Sequence, residues 1–392
     1  VGVADLKIRN GLPLRLLAPC ALVLLAPSLV CAQNSRSALG VFDPRANSEI
    51  KNNQHQLGLI LPVATSLSTT MGNIGNYNTI QPTARFARRT TNATGEEEIL
   101  YDENQGGYFS QPAWTLLEGE TSLALSYIHL DFDKMNGEDL DDVLDRFSDY
   151  GPDGLGVVGT GDSDFSLEAD VFLLSAARGI TDDLEFSFIL PLIDLRGSGG
   201  FTTTFDIPNE PGIFLQETTS ARFNESDFDV GDLTLRTKYS IFAEADHAFA
   251  VGADLVLPTG DEDQFLGGGG VGYRIRSLYA KRCGNWYPTV ELGYYWTNLE
   301  SDSRLPFDED DYNLIEYRVG APYRLSDTVT VGVELIGFES EAFDQNDIGF
   351  FGRWDMSHRL DGLVFNLGLR IPLDDDGLRP AVAPAFSVQY AY

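Results

Sequence analysis

Strand-length stretches of this chain place large apolar side chains and full charges on alternate positions, and that alternation narrows the accessible folds more than any other feature. In GDLTLRTKYSI, Leu233, Leu235, Thr237, Tyr239 and Ile241 share one face, opposite Asp232, Thr234, Arg236 and Lys238. TVELGYYWT sets Val290, Leu292, Tyr294 and Trp296 against Glu291 and Gly293. A period of two is that of a β-strand. In a soluble sandwich the apolar face packs inward and the other face meets water. Here the charged face is mixed with glycine and recurs deep within strand after strand. A closed barrel in a bilayer requires this arrangement, apolar toward lipid and polar toward the lumen. Closure also leaves no unpaired strand edge in hydrocarbon.

From about residue 120 the unit repeats twelve times, from TSLALSYIHL to the terminal AFSVQYAY. The connections alternate too. Counting back from the C-terminus, SHRLD, YRLSDT, RCGNW, FAEADH and GITDD are short. Those between them are mostly long and acidic, such as NLESDSRLPFDEDDYN and PTGDEDQFLGGGG. Short turns at one end and long loops at the other are the asymmetry of outer-membrane barrels. The fold class expected is therefore all-β, a transmembrane antiparallel up-and-down barrel of 12 strands, with 14 as the alternative. AFSVQYAY would close the ring against TSLALSYIHL and put Tyr390 and Tyr392 in the inner aromatic girdle. Its aromatic end also looks like the signal read by the barrel-assembly machinery, which is thus an expected partner, together with outer-membrane lipid and lipopolysaccharide.

Residues 1–32 read as a cleaved signal peptide. A basic start (Lys7, Arg9, Arg15) precedes the apolar run Leu16–Val30, and V-C-A|Q offers small residues at the cut. Cleavage removes Cys20 and Cys31 and leaves only Cys283, so no internal disulfide is expected. The formal charge of −32 argues against a nucleic-acid partner. Most of the acid falls in the long outer loops, where solvation is its commonest role.

Residues 33–119 are polar and rich in Gly and Asn, and are expected to form a plug or periplasmic lid ahead of the barrel, residues 120–392. The glycine loop 258–270 lacks the lysine and following helix of a phosphate-binding loop; it is expected to bend inward. GEDLDDVLDRF has helical apolar spacing, and its aspartates lack the spacing of a calcium loop. Of four histidines, His129 alone lies on a strand near the outer rim, flanked on its face by Tyr127 and Asp131 rather than a serine. No catalytic group, cofactor or metal site is expected.

The lumen wall is assigned Glu168, Asp170, Glu185, Asp232, Arg236, Lys238, Asp254, Arg274, Arg276, Glu291, Glu316, Arg318, Glu334, Arg353, Asp355 and Arg370, with Arg178 beside them. The near balance of charge suits cross-strand ion pairs that brace the wall, or a selectivity field. The chain resembles a family of bacterial outer-membrane proteins named for the meta-pathway of phenol degradation. The resemblance rests on FSQPAWTLLEGETSLALSYIHLDFDKMNGEDLDDV, GDLTLRTKY and LVLPTGDEDQFLGGG. It implies an outer-membrane pore linked to aromatic breakdown and supplies no binding residue. Two readings stay open: passage of small molecules, hydrophobic or aromatic ones included, and a sealed structural barrel whose acidic loops bind cations or partners.

Overall fold

A computed structural model describes residues 86–91, 97–102, 106–135, 137–140, 158–210, 213–244, 246–261, 266–298, 311–340, 344–356 and 362–392. The expected signal peptide and most of the segment that follows it lie outside these residues. In chain order the strands are β1 (Phe86–Thr91), β2 (Glu97–Asp102), β3 (Thr121–Met135), β4 (Glu138–Asp139), β5 (Val158–Thr181), β6 (Leu184–Glu210), β7 (Ile213–Val230), β8 (Leu233–Ala243) and β9 (His247–Leu257). They continue as β10 (Gly272–Lys281), β11 (Thr289–Asn298), β12 (Asp311–Arg324), β13 (Val329–Ser340), β14 (Asp344–Asp355), β15 (Leu363–Pro372), β16 (Leu378–Pro380) and β17 (Ala383–Ala391).

Twelve of these make a closed antiparallel ring. Each of β5, β6 and β8 to β15 pairs with its neighbours in sequence order, β17 follows β15, and β3 joins β17 to β5. At the seam Thr121 and Tyr392 exchange backbone hydrogen bonds of 3.0 Å. Phe386 stands opposite Tyr127 and Tyr390 opposite Leu123, the closure expected from the terminal strand. The strands β1 and β2 pair with each other in a separate ribbon, so they do not enlarge the barrel to fourteen. The strand β7 prolongs β8: β6 is long enough to pair with β8 along Leu184–Ile189 and with β7 along Leu192–Glu210. Glu138 and Asp139 bond to the end of β3 as a bridge rather than starting the expected helix, whose later residues lie outside those described.

The barrel is inside-out relative to a soluble protein. Leu125, Phe188, Ile275, Leu292, Ile315 and Leu367 are among the large side chains exposed on its outer surface. Arg236, Arg274, Arg318 and Glu334 are each at most 1% exposed. At the inner end Tyr390 and Tyr392 are exposed and stack 5.7 Å apart, in the position expected of an aromatic girdle. The inner turns are tight; Cys283 and Trp286 close one with reciprocal backbone bonds, leaving the Cys283 thiol exposed and unpaired.

If the outer surface faces hydrocarbon, a charge in mid-strand there is costly. Leu367→Arg on β15 is predicted to lower folding stability in lipid vesicles by ~2–4 kcal/mol. Urea titration followed by heat-modifiable gel migration checks this; an unchanged midpoint would mean that this face does not meet lipid.

Candidate functional site in the barrel lumen

Register brings charges together on the lumen-facing side of β8 to β12. Arg236 on β8 and Arg274 on β10 both face Asp254 on β9 directly. Arg236 grips Asp254 with two hydrogen bonds of 2.9 and 2.8 Å. Arg274 reaches the same carboxylate at 3.0 Å and Arg276 at 2.9 Å. Arg276 also donates to Glu291 at 3.2 Å, where Arg318 arrives at 3.1 Å. Glu316 forms an ion pair with Arg274 at 3.2 Å and accepts a hydrogen bond from Arg318 at 3.5 Å. Glycines stand opposite Arg276 on both neighbouring strands, Gly252 and Gly293. A Cβ on Gly252 would lie 2.9 Å from the Arg276 guanidinium, so a side chain there would push it off the wall.

Residues 106–117 run through this lumen without joining a strand ladder, and the wall supplies their hydrogen bonds. The Glu334 carboxylate accepts the backbone N–H groups of Tyr108, Phe109 and Ser110 at 2.8, 2.7 and 2.9 Å, and the Ser110 hydroxyl as well. Glu291 accepts Gln111 N–H at 3.0 Å, and Glu185 accepts Leu116 N–H at 3.0 Å. Cations take the carbonyls: Arg353 donates to Gly106 and Gly107, and Lys238 to Pro112. Lys238 also pairs with Glu185 at 3.3 Å. The aromatic rings of the segment need gaps in the wall. A Cβ on Gly368 would lie 2.3 Å from Tyr108, and one on Gly349 2.6 Å from Phe109.

The polarity of the lumen changes toward the end bearing the long connections. There Ile128, Leu130 and Phe132 of β3 and Leu167, Ala169 and Val171 of β5 are buried on the inner face. This corrects two assignments. Glu168 and Asp170 alternate with those apolar residues and so lie on the outer face of β5. Asp170 bonds the Tyr127 hydroxyl at 2.6 Å, His129 at 2.9 Å and Arg196 at 2.8 Å, while Glu168 lies 3.7 Å from Arg196. A third assigned residue, Arg178, also points outward, exposed at the short-turn end of β5, where it donates to Thr121. The physical reason is strand length. β5 and β6 outrun the lipid band, so their outward polar residues stand beyond it, and their inward ones supply the apolar upper lumen.

The other assigned residues are buried. Arg353 also bonds Asn366, Asp355 shares its face of β14, and Arg370 pairs with Asp347, which the sequence reading left out. Asp232 stands at the foot of the glycine loop and accepts Gly260 N–H at 3.0 Å and Gly268 N–H at 2.7 Å. A Cβ on Gly267 would lie 2.5 Å from that carboxylate, which accounts for the glycine there. Among the described residues Glu244, Asp246 and His247 in the β8–β9 turn have their ligand atoms within 4.8 Å of one another. The hydrogen bond from His247 holds the Asp246 carboxyl below its ordinary pKa and accounts for the grouping without an ion.

A family model described as "Putative MetA-pathway of phenol degradation" matches residues 145–370. No curated protein sequence matches the chain. Among solved structures, the COG4313 outer membrane channel from Pseudomonas putida F1 is similar at 15% identity and a TM-score of 0.44, over 71% of this chain and 98% of that one. The CymD monoaromatic hydrocarbon channel is similar at 9% identity and a TM-score of 0.35, over 71% and 89%. The Ralstonia pickettii toluene transporter TbuX has the same identity, TM-score and coverages.

Two substitutions probe the site. Glu334→Ala is predicted to leave three backbone N–H groups without their acceptor and to raise amide hydrogen exchange at residues 108–110 at least about tenfold, since bonds to a charge contribute ~1.5–3 kcal/mol. Glu168→Ala, outside the lumen, should leave that exchange unchanged, and equal effects would refute the placement. Asp254→Asn strips the counter-charge from three buried arginines, an expected loss of ~3–5 kcal/mol. Refolding yield into detergent micelles measures it, and a wild-type yield would show that the arginines do not depend on Asp254.

Proposed function

We propose, from the premise that the chain belongs to the family of the MetA-pathway of phenol degradation, that it is an outer-membrane channel for small hydrophobic or aromatic molecules. The observation that carries this reading is the two-zone lumen. A membrane barrel with no solute to pass needs no apolar inner face, because its stability comes from the ladder and from lipid contact outside. Here the inner face of β3 and β5 toward the outer end is apolar, and it would give a hydrophobic solute a place to leave water. Beneath it the luminal segment 106–117 crosses the barrel.

The segment is tied to the wall by side-chain bonds and ring contacts and not by a strand ladder, so it can be released without opening the ladder. Glu334, Glu291 and Glu185 hold it at three points on three strands. A solute would pass when those bonds exchange for water. Export and the outer-membrane location are part of the same proposal, supported by the exposed apolar surface and the alternation of short and long connections.

Planar-bilayer recording tests the reading. The mature chain is expected to show small or intermittent conductance, and a variant lacking residues 33–119 a larger and steadier one. A barrel that stays silent in both forms, and takes no phenol or toluene into proteoliposomes, would reduce it to a sealed structural element.

A further inference from the structure

We propose that the upper lumen contains a binding site for a small ring that carries one oxygen acceptor. The proposal deepens the channel reading and rests on it for how the solute arrives.

The site is a pocket between β3 and the last two strands of the ring. Ile128, Leu130 and Phe132 of β3 and Ala383 and Ala385 of the adjoining β17 make its apolar wall, and Phe109 of the luminal segment lies against them. Its polar side is Asp347, held by Arg370 from β15 and by Arg379 from β16 at 2.6 Å. Arg379 is more than nine-tenths buried, its side chain 3% exposed. One of its terminal nitrogens is occupied: Nη2 donates to Asp347 and, at 2.8 Å, to the Asn346 carbonyl. Its Nε–H has no acceptor among the described residues. A buried donor left open beside an apolar wall is costly, and a ligand oxygen would relieve that cost.

Such a site sorts rings by substituent. An apolar pocket alone separates similar hydrocarbons weakly, whereas a pocket with a waiting donor rejects the analogue that lacks the acceptor. The ring must also find room. The cavity is about 10 Å³, enough for one water, whereas a benzene-sized ligand occupies an apolar cavity of ~150 Å³. Every other lining residue belongs to a paired strand of the wall. Phe109 alone comes from the luminal segment, and it is the side chain a ring would displace.

Equilibrium dialysis of the mature barrel in detergent, with phenol, benzoate and toluene as probes, tests the site. Phenol, benzoate or both should bind at least about tenfold more tightly than toluene, the ratio expected of a single added hydrogen bond. Binding of phenol alone would assign the acceptor to a hydroxyl, and binding of benzoate alone to a carboxylate; either supports the proposal. Arg379→Leu should bring the three probes within about threefold of one another. Arg379→Lys keeps the charge beside Asp347 but lacks the Nε–H, and should lose the preference as well, with heat-modifiable migration reporting the intact barrel. Phe109→Ala should tighten binding of the oxygenated probe by making room. Toluene binding as tightly as phenol and benzoate in the wild type, or a preference that survives both Arg379 variants, overturns the site. A silent barrel that still prefers an oxygenated ring would overturn the channel reading and leave this one standing; a conducting barrel without the preference would do the reverse.

Discussion

Hydrocarbon offers no partner to a peptide group, so each strand that crosses it must be bonded on both sides. The ring closed by β3 between β17 and β5 meets that condition, and the other features follow from it. Once the ladder is closed, alternate side chains have only two destinations. Those facing out meet lipid and must be apolar. Those facing in share a lumen narrow enough for opposite walls and a central segment to touch. Charges placed there cannot rely on bulk water, and the structure satisfies them in groups rather than in isolated pairs. Asp254 serves three arginines, and two of these continue to Glu291 and Glu316.

Residues 106–117 face the same constraint. An extended segment inside a closed barrel cannot join the ladder, because every wall strand already has two neighbours. Its backbone N–H and C=O groups still require partners. Ionised wall side chains meet that need with the right polarity: carboxylates take the N–H groups and Arg353 and Lys238 take the carbonyls. The wall charges therefore have two roles at once. They brace neighbouring strands, and they fix the one stretch of chain that crosses the lumen. A bracing role and a gating role need not exclude each other when Glu291 holds both Arg318 and Gln111.

The architecture was legible because alternation is local. Each strand announces itself within ten residues, and the terminal AFSVQYAY pairs with TSLALSYIHL as its pattern implies. Most wall residues from Glu185 to Arg370 followed from the same pattern. Glu168 and Asp170 did not, because alternation separates two faces without saying which one is inside. Where a strand rises past the lipid the outward face turns polar, and the usual rule of polar inward reverses. A signal was available in β3, whose Tyr127, His129 and Asp131 sit on the face opposite Ile128 and Leu130. The luminal segment gave no periodic signal at all. Its partner Glu334 lies 226 positions away from Tyr108, and nothing in FSQPAW encodes a bond of that range.

The same reversal bears on what the barrel can do. The lumen-facing side is charged on β8 to β15 and apolar on the upper parts of β3 and β5, and the luminal segment touches both. Phe109 shows this most directly. Its backbone N–H is held by Glu334 of the charged zone, while its ring lines the apolar pocket beside Leu130 and Phe132. A molecule that enters the pocket by moving the Phe109 ring therefore pulls on the bond that anchors the segment. On the proposed reading, occupancy above and release below would be coupled through Phe109, over the length of a single side chain. This requires no rearrangement of the wall, whose ladder is the costliest part of the molecule to disturb in hydrocarbon.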